Sequence, residues 1–485
     1  MEECNVSVLL VEPLPCARVA IALVAEGAGH VPADHLHARR LYGQVRAQQA
    51  QCRALPDAAP SGGRRGRNWI DHRVAIIRNG TYRIEVDVEL FRNSPSGELV
   101  RISGTSASGP WTHHAFLPHP LTEVGPTLTA TAYRSVADAR AALAALDATA
   151  ARLPNPRLFR HSSLRLEAQS TAALEGTYEP LARVLTEDPG DRHDPAMREV
   201  LNYLTVAETA FAWTAQGRAW SLSTIGELHR MLMAGSVGER DYSGVRPIQV
   251  VVGRREDARP DEQPIHAARY VPPPPGDDLA ARFSDLLDWM YADHRATIDP
   301  VVAAAMGHYT FEALHPFHDG NGRIGRLFIV LQLNRHGILT EPSITVSPWF
   351  EARRQRYYDA LLGVSMTGDW STWVTMFAEG LARSAITARD RMLALAQAQA
   401  DLKDRLQRSR TRSAGARLLV DFAVGRPTFT VREAAEAIGL QYQGTNKLVD
   451  ALVELGILAE YGERSYNRRF HAPVVLDILL RESSR

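Results

Sequence analysis

FEALHPFHDGNGRIGR, residues 311–326, reads as two helices joined by a glycine-rich loop. Val302, Met306 and Tyr309 keep helical spacing and run into His315-Pro316, where proline fixes a turn. Gly320 and Gly322 let backbone N–H groups approach a ligand closely, and the next helix brings partial positive charge to its N-terminus. Phosphate oxygens suit such a nest, and Asn321 can add a side-chain donor. Arg323 and Arg326, three apart, share a helix face on which two guanidinium forks can hold the outer phosphates of a nucleotide. Asp319 suits Mg²⁺, a cation that takes one or two carboxylates plus phosphate oxygens and water. His315, with a reference pKa of about 6.5, can accept a hydroxyl proton near neutrality. Phe317 reads as the core anchor of the loop. Together these residues describe a phosphoryl-transfer site that lacks only its acceptor.

Gly320 to Gly325 also fits G-x-G-x-x-G, but that dinucleotide fingerprint follows a strand, and residues 300–313 read as helix. No G-x-x-x-x-G-K-[ST] loop occurs in the chain, which argues against a P-loop NTPase.

His315 to Arg326 resembles the complete Fic-family signature, HPFxDGNGRxxR, at every defined position. The resemblance implies a mainly α fold, a Fic-type helical bundle with a β-hairpin flap, and a protein adenylyltransferase that moves AMP from ATP onto a Ser, Thr or Tyr hydroxyl. It further implies His315 as the catalytic base and Asp319 as the ligand of a Mg²⁺ cofactor. The nucleotide contacts it implies come from Asp319, Gly320, Asn321, Gly322, Arg323, Ile324, Gly325 and Arg326.

Leu164, Ala168, Thr171 and Leu174 place a short amphipathic helix over residues 162–176, with Gly176 as its stop. Glu175 then lies in the last turn, where the helix dipole disfavours negative charge and calls for a cation from elsewhere. TAALEG, residues 171–176, is similar to the family's inhibitory motif [S/T]xxxE[G/N], which implies that Glu175 pairs with Arg326 and holds it off the γ-phosphate. The Gly-bounded, β-branched run GVRPIQVVVG, residues 244–253, reads as a hairpin and resembles the family's flap, on which a target segment docks by strand addition. That resemblance also puts Val250, Val251, Val252 and Gly253 near the nucleotide and Tyr358, beside Tyr357, against its base.

The 485 residues exceed one compact core, and a 45% hydrophobic, 23% charged composition is that of an ordinary globular chain. Lys plus Arg and Asp plus Glu both number 55, so any nucleic acid or acidic surface must be bound by a local patch. Cys4, Cys16 and Cys52 match neither a disulfide framework nor a zinc site, which fits a reducing compartment. The first residues lack a basic n-region, and Glu12, Pro13 and Pro15 interrupt the apolar run, so no membrane association and a cytoplasmic location are expected.

The reading divides the chain into an extension or linker (1–67), a small N-terminal β-rich module (68–125), the Fic-type domain (131–385), a helical linker (386–413) and a C-terminal winged helix-turn-helix (414–485). In the β-rich module Asn79-Gly80 signals a turn, and Tyr82 to Leu90 alternate as a half-buried strand does. Ser135 is a candidate N-cap for the first long helix, and the tetraproline at 272–275 requires an extended segment. At the C-terminus Thr445, Asn446 and Lys447 with Arg464, Arg468 and Arg469 form a modest basic patch. The partners implied are ATP and a target protein on the 244–253 flap, with DNA on the winged helix and a second copy of the chain as further candidates. The rival functions are the same fold performing de-AMPylation, phosphate or other nucleotide transfer, and a winged-helix DNA-binding regulator.

Overall fold

The computed structural model describes residues 88–106, 109–153, 155–186, 195–236, 244–411, 413–462 and 468–481. The 1–67 extension, the Asn79-Gly80 turn and Arg464 lie outside them. All described residues belong to the compact unit Tyr82–Arg485, which is mainly helical as expected.

The described part of the N-terminal module is a short helix, α1 (Val88–Arg92), and an antiparallel hairpin of β1 (Gly97–Ser106) with β2 (Gly109–Pro118). Residues 82–87 of the strand read as far as Leu90 lie outside the described residues, and its last three, Val88 to Leu90, belong to a helical turn. That turn leaves Leu90 exposed and carries Phe91 into an aromatic cluster with Phe116 and Tyr270.

The next helix, α2 (Ala130–Arg152), starts before Ser135, because Thr129 caps it by accepting the Ala132 N–H at 3.3 Å. A 3₁₀ turn at Pro156–Phe159 leads into α3 (Arg160–Leu174), followed by α4 (Leu181–Thr186), α5 (Pro195–Ala215) and α6 (Leu222–Leu232). Residues 244–253 do not fold back on themselves. Pro247 removes a backbone donor there, and only the end of the run forms β3 (Val252–Arg254), which pairs past a helical turn, α7 (Pro264–Ala267), with β4 (Ala268–Tyr270). Val252 stands opposite Tyr270.

The core contains α8 (Asp277–Tyr291), α9 (Pro300–Leu314), α10 (Asn321–Arg335), α11 (Ser347–Glu351) and α12 (Arg354–Thr367). Every residue of α9 except Glu312 is buried. A 38-residue helix, α13 (Trp370–Gln407), packs along α2 and runs unbroken through position 385, so most of the expected linker is the same helix.

The chain closes with α14 (Ala414–Gly425), β5 (Phe429–Thr430), α15 (Val431–Ile438), α16 (Tyr442–Glu454), β6 (Ala459–Tyr461), β7 (Arg469–His471) and an unanticipated α17 (Pro473–Arg481). Its sheet has the order β5-β7-β6, and α14, α15 and α16 followed by the antiparallel pair β6 and β7 keep the order of the three helical stretches and hairpin read there. The amphipathic reading of α3 fails: α5, α10, α11 and α14 surround it and bury all of Ser162–Leu174 except Gln169.

The C-terminal basic patch shrinks for a similar reason. Arg469 turns inward onto Thr428, Arg468 faces Asp450 and Glu460, and Thr445 is buried. Asn446 donates to Asp450 at 3.0 Å. Among the described residues no helix is long and apolar enough to cross a membrane.

Candidate active site

Two buried helices meet at the loop and deliver opposite chemistries. Asp299 caps α9 by accepting the Val301 N–H at 2.8 Å, and Pro300 opens its first turn. His315 ends α9 in the left-handed region, at φ 47° and ψ 58°, and is the one non-glycine residue with positive φ among the described residues. Such a conformation persists only where its surroundings over-determine it.

Arg246 supplies that constraint. Its guanidinium donates from Nε to the His315 carbonyl at 2.8 Å and to the carbonyls of Ile248 and Pro273, and its N–H donates to the Pro316 carbonyl at 2.8 Å. Burial pushes its pKa down to about 10, so it stays charged at neutrality. The sequence reading missed this residue, whose signal was an arginine inside an otherwise apolar run.

His315 Nδ1 lies 3.3 Å from the Glu312 carbonyl, which can only accept. Nδ1 therefore carries the proton, and Nε2 keeps its lone pair. Burial pushes the pKa of His315 down to about 4; Glu175 opposes the shift and Arg246 adds to it. The ring is neutral at pH 7.

Phe317 anchors the loop as expected, stacked on His229 with ring centres 4.0 Å apart and planes 7° apart. His229, absent from the sequence reading, points Nε2 at the Asp319 carbonyl, 2.9 Å away. Asn321 departs from its expected role as a phosphate donor. Its Nδ2 donates to the Phe317 carbonyl at 2.8 Å and its Oδ1 accepts the Phe317 N–H at 2.9 Å, so it braces the loop. Gly320, at φ 76°, is the N-cap of α10, and no side chain caps that helix. The N–H groups of its first turn have no intrahelical acceptor.

Each signature arginine faces a carboxylate. Arg326 Nη2 meets Glu175 Oε1 at 2.6 Å, and Thr171 accepts from Arg326 Nε through Oγ1 at 2.8 Å and from Nη2 through its carbonyl at 3.1 Å. Burial opposes the charge on Arg326, but Glu175 together with Tyr357, Glu312 and Tyr358 outweighs it, so the pKa rises and the guanidinium stays protonated. Glu175 is the C-cap of α3, just past the last turn in which it was read. Gly322 makes room for the pair, since a Cβ there would stand 2.0 Å from Glu175 Oε1 and 2.7 Å from Arg326 Nη1.

Arg323 is buried, bonded through Nη1 to Glu199 of α5, with Nη2 3.4 Å from Asp319 Oδ1. Nothing in the sequence separates Glu199 from a solvated helix glutamate. Asp319 Oδ1 also accepts the Gly320 N–H at 2.6 Å, so both of these contacts fall on one oxygen of a side chain that is 55% exposed. Among the described residues no three His, Cys, Asp or Glu side chains form a metal-holding group. A single exposed carboxylate fits Mg²⁺ whose other ligands arrive with a substrate's phosphates.

These groups open onto a cavity of about 330 Å³ lined in part by His315, Gly322, Arg326, Glu175, Val251, Val252, Gly253 and Tyr358. The expected residues Val250, Asp319, Gly320, Asn321, Arg323, Ile324 and Gly325 are not in its wall. Ile324 packs in the core, and the Gly325 carbonyl accepts from His308 Nδ1 at 3.0 Å. Tyr358 donates its hydroxyl to the Leu174 carbonyl at 3.2 Å, while the Tyr357 hydroxyl is turned inward onto His308 Nε2 at 2.7 Å. Glu312, on the cavity wall, has its carboxyl pushed up to about 8 by burial.

Residues 219–333 match the Fic/DOC family and residues 133–212 match the Fic/DOC family N-terminal segment. Over 159 residues the chain is 31% identical to protein adenylyltransferase fic-1 of Caenorhabditis elegans, covering 33% of this chain and 27% of that protein. It is 32% identical over 159 residues to protein adenylyltransferase Fic of Drosophila erecta, with the same 33% and 27% coverage. The match thus spans about a quarter of the length of these relatives. A solved structure of a Fic family protein from Desulfovibrio desulfuricans G20 superposes with a TM-score of 0.45 at 24% identity, covering 72% of this chain and 98% of that one. The signature at 315–326, set into the loop between α9 and α10, lies inside the stretch that matches the Fic/DOC family.

Proposed function

We propose that this chain is a protein adenylyltransferase that moves AMP from ATP to a Ser, Thr or Tyr hydroxyl of a target protein and is held in check by Glu175. The observation that carries the reading is a neutral imidazole with a free Nε2 on the same cavity as Arg326 and the N-terminus of α10. The names of the relatives point the same way.

In the proposed reaction the target hydroxyl attacks the α-phosphorus in line. An O–P bond to the target forms, the bond to the β-phosphate oxygen breaks, pyrophosphate leaves, and the hydroxyl proton goes to His315 Nε2. Arg323, Arg326 and the N–H groups of α10 hold the phosphates, and Mg²⁺ bound through Asp319 would offset charge on the leaving pyrophosphate. Among the described residues β3 has β4 as its one strand neighbour, which leaves its other edge for a target strand, and Ile248 near it in sequence is exposed. Cysteine usage supports the cytoplasm as its setting.

The winged-helix regulator is the weaker reading, because acidic side chains face Arg468 and Arg469 is buried. Chelating divalent cations is expected to stop the labelling of protein by ATP tagged on its AMP portion, and added Mg²⁺ to restore it. Labelling that survives chelation would remove Asp319 and the cation from the reaction.

A further inference from the structure

Glu199 has two partners. Its Oε1 binds Nη1 of Arg323, and its Oε2 accepts from Thr177 Oγ1 at 3.0 Å. Thr177 belongs to the turn that closes α3. Its N–H donates to the Ala172 carbonyl at 3.0 Å, and the Gly176 N–H donates to the Ala173 carbonyl at 3.1 Å, with Gly176 at φ 98°. Those two bonds form a Schellman turn, and the turn sets the direction in which Glu175 leaves the helix toward Arg326. One carboxylate therefore touches both Arg323 and the segment that carries the other carboxylate.

We propose that Glu199 is a positioning residue that couples the turn bearing Glu175 to Arg323, so that the two signature arginines leave their carboxylates together. Arg323 and Arg326 lie one helical turn apart on α10. Phosphate oxygens that draw Arg323 away from Glu199 loosen the hold on Thr177, and loosening the turn frees Arg326 from Glu175. The coupling is reciprocal, so opening of the turn strengthens phosphate binding at Arg323. The meaning of this coupling for catalysis rests on the transferase reading, but the linkage itself does not.

Hydrogen exchange at the Gly176 and Thr177 amides of the full chain, without nucleotide, tests it. Thr177→Val removes the hydroxyl and is expected to speed exchange at both amides about ten-fold, the scale of a lost hydrogen bond to a charged group. Thr177→Ser is expected to restore the original rate. Glu199→Gln keeps an oxygen for Thr177 but loses the charge on Arg323, and a roughly three-fold acceleration is expected. The double variant Thr177→Val/Glu199→Gln should exchange no faster than Thr177→Val alone, because both changes cut one chain of contacts. Unchanged exchange in both single variants, or accelerations that multiply in the double variant, would overturn the coupling. Labelling by tagged ATP in the same samples reports separately on the transferase reading: its absence, with exchange behaving as expected, counts against that reading and in favour of Glu199 as a purely conformational tie.

Discussion

Replacing His315 with alanine is expected to lower labelling of protein by tagged ATP about a thousand-fold or more, the upper range for loss of a positioned general base. The loss should fall on kcat, because in the proposed reaction α10 and its arginines hold the phosphates, while Arg246 continues to hold the loop backbone through the residue-315 carbonyl. The pH dependence carries the same claim in another form. Burial holds the His315 pKa near 4, below the ordinary histidine value, so the base is already deprotonated at pH 6. Activity should therefore rise with pH through about 4 and be level from about pH 5.5 to 7, where an exposed histidine would still be titrating. An acid limb centred at 6.5 or higher, or near-normal labelling by His315→Ala, would take the proton-accepting role from this residue.

The second large effect is expected at Glu175. Substituting glycine removes the carboxylate that meets Arg326 at 2.6 Å and leaves a buried guanidinium facing the cavity. On the proposed inhibitory role, labelling should rise roughly ten- to hundred-fold, the range set by about 1.5–3 kcal/mol for one hydrogen bond between charged groups. The same change should lower stability by about 1–3 kcal/mol, since one charge of a partly buried pair loses its partner. ATP should then raise the melting temperature of Glu175→Gly more than that of the unmodified chain, because its phosphates supply the missing anion. An unchanged labelling rate together with an equal response to ATP would make the pair a structural brace.

Sequence alone exposed the parts of the site whose chemistry is local. The signature needs only a helix end, two glycines and arginines three apart, and each of these is visible within a dozen residues. Glu175 was legible through the resemblance of residues 171–176 to the family's inhibitory motif, since the helix dipole by itself calls only for some cation and names none. Long-range partners were not legible. Glu199 lies 124 positions before Arg323, and nothing local distinguishes it from a solvated glutamate. Asn321 was misread because loop closure, invisible in the sequence, turns its amide onto Phe317. The hairpin read over 244–253 is not there: only Val252 and Gly253 of that run are in a strand, and the partner strand β4 is three residues long, too short to show alternation. Arg469 looked like part of a basic surface because a short strand does not reveal which of its faces is covered.

The central claim is that the α10 nest seats a triphosphate so that its α-phosphorus, and not its γ-phosphorus, meets the acceptor hydroxyl beside His315. The most direct test is to incubate the Glu175→Gly chain with Mg²⁺ and ATP carrying the radiolabel at either the α- or the γ-phosphate, and to count label retained on denatured protein. The α-label should stay on protein and the γ-label should leave with pyrophosphate. Retention of the γ-label alone, or of neither label, would contradict the account.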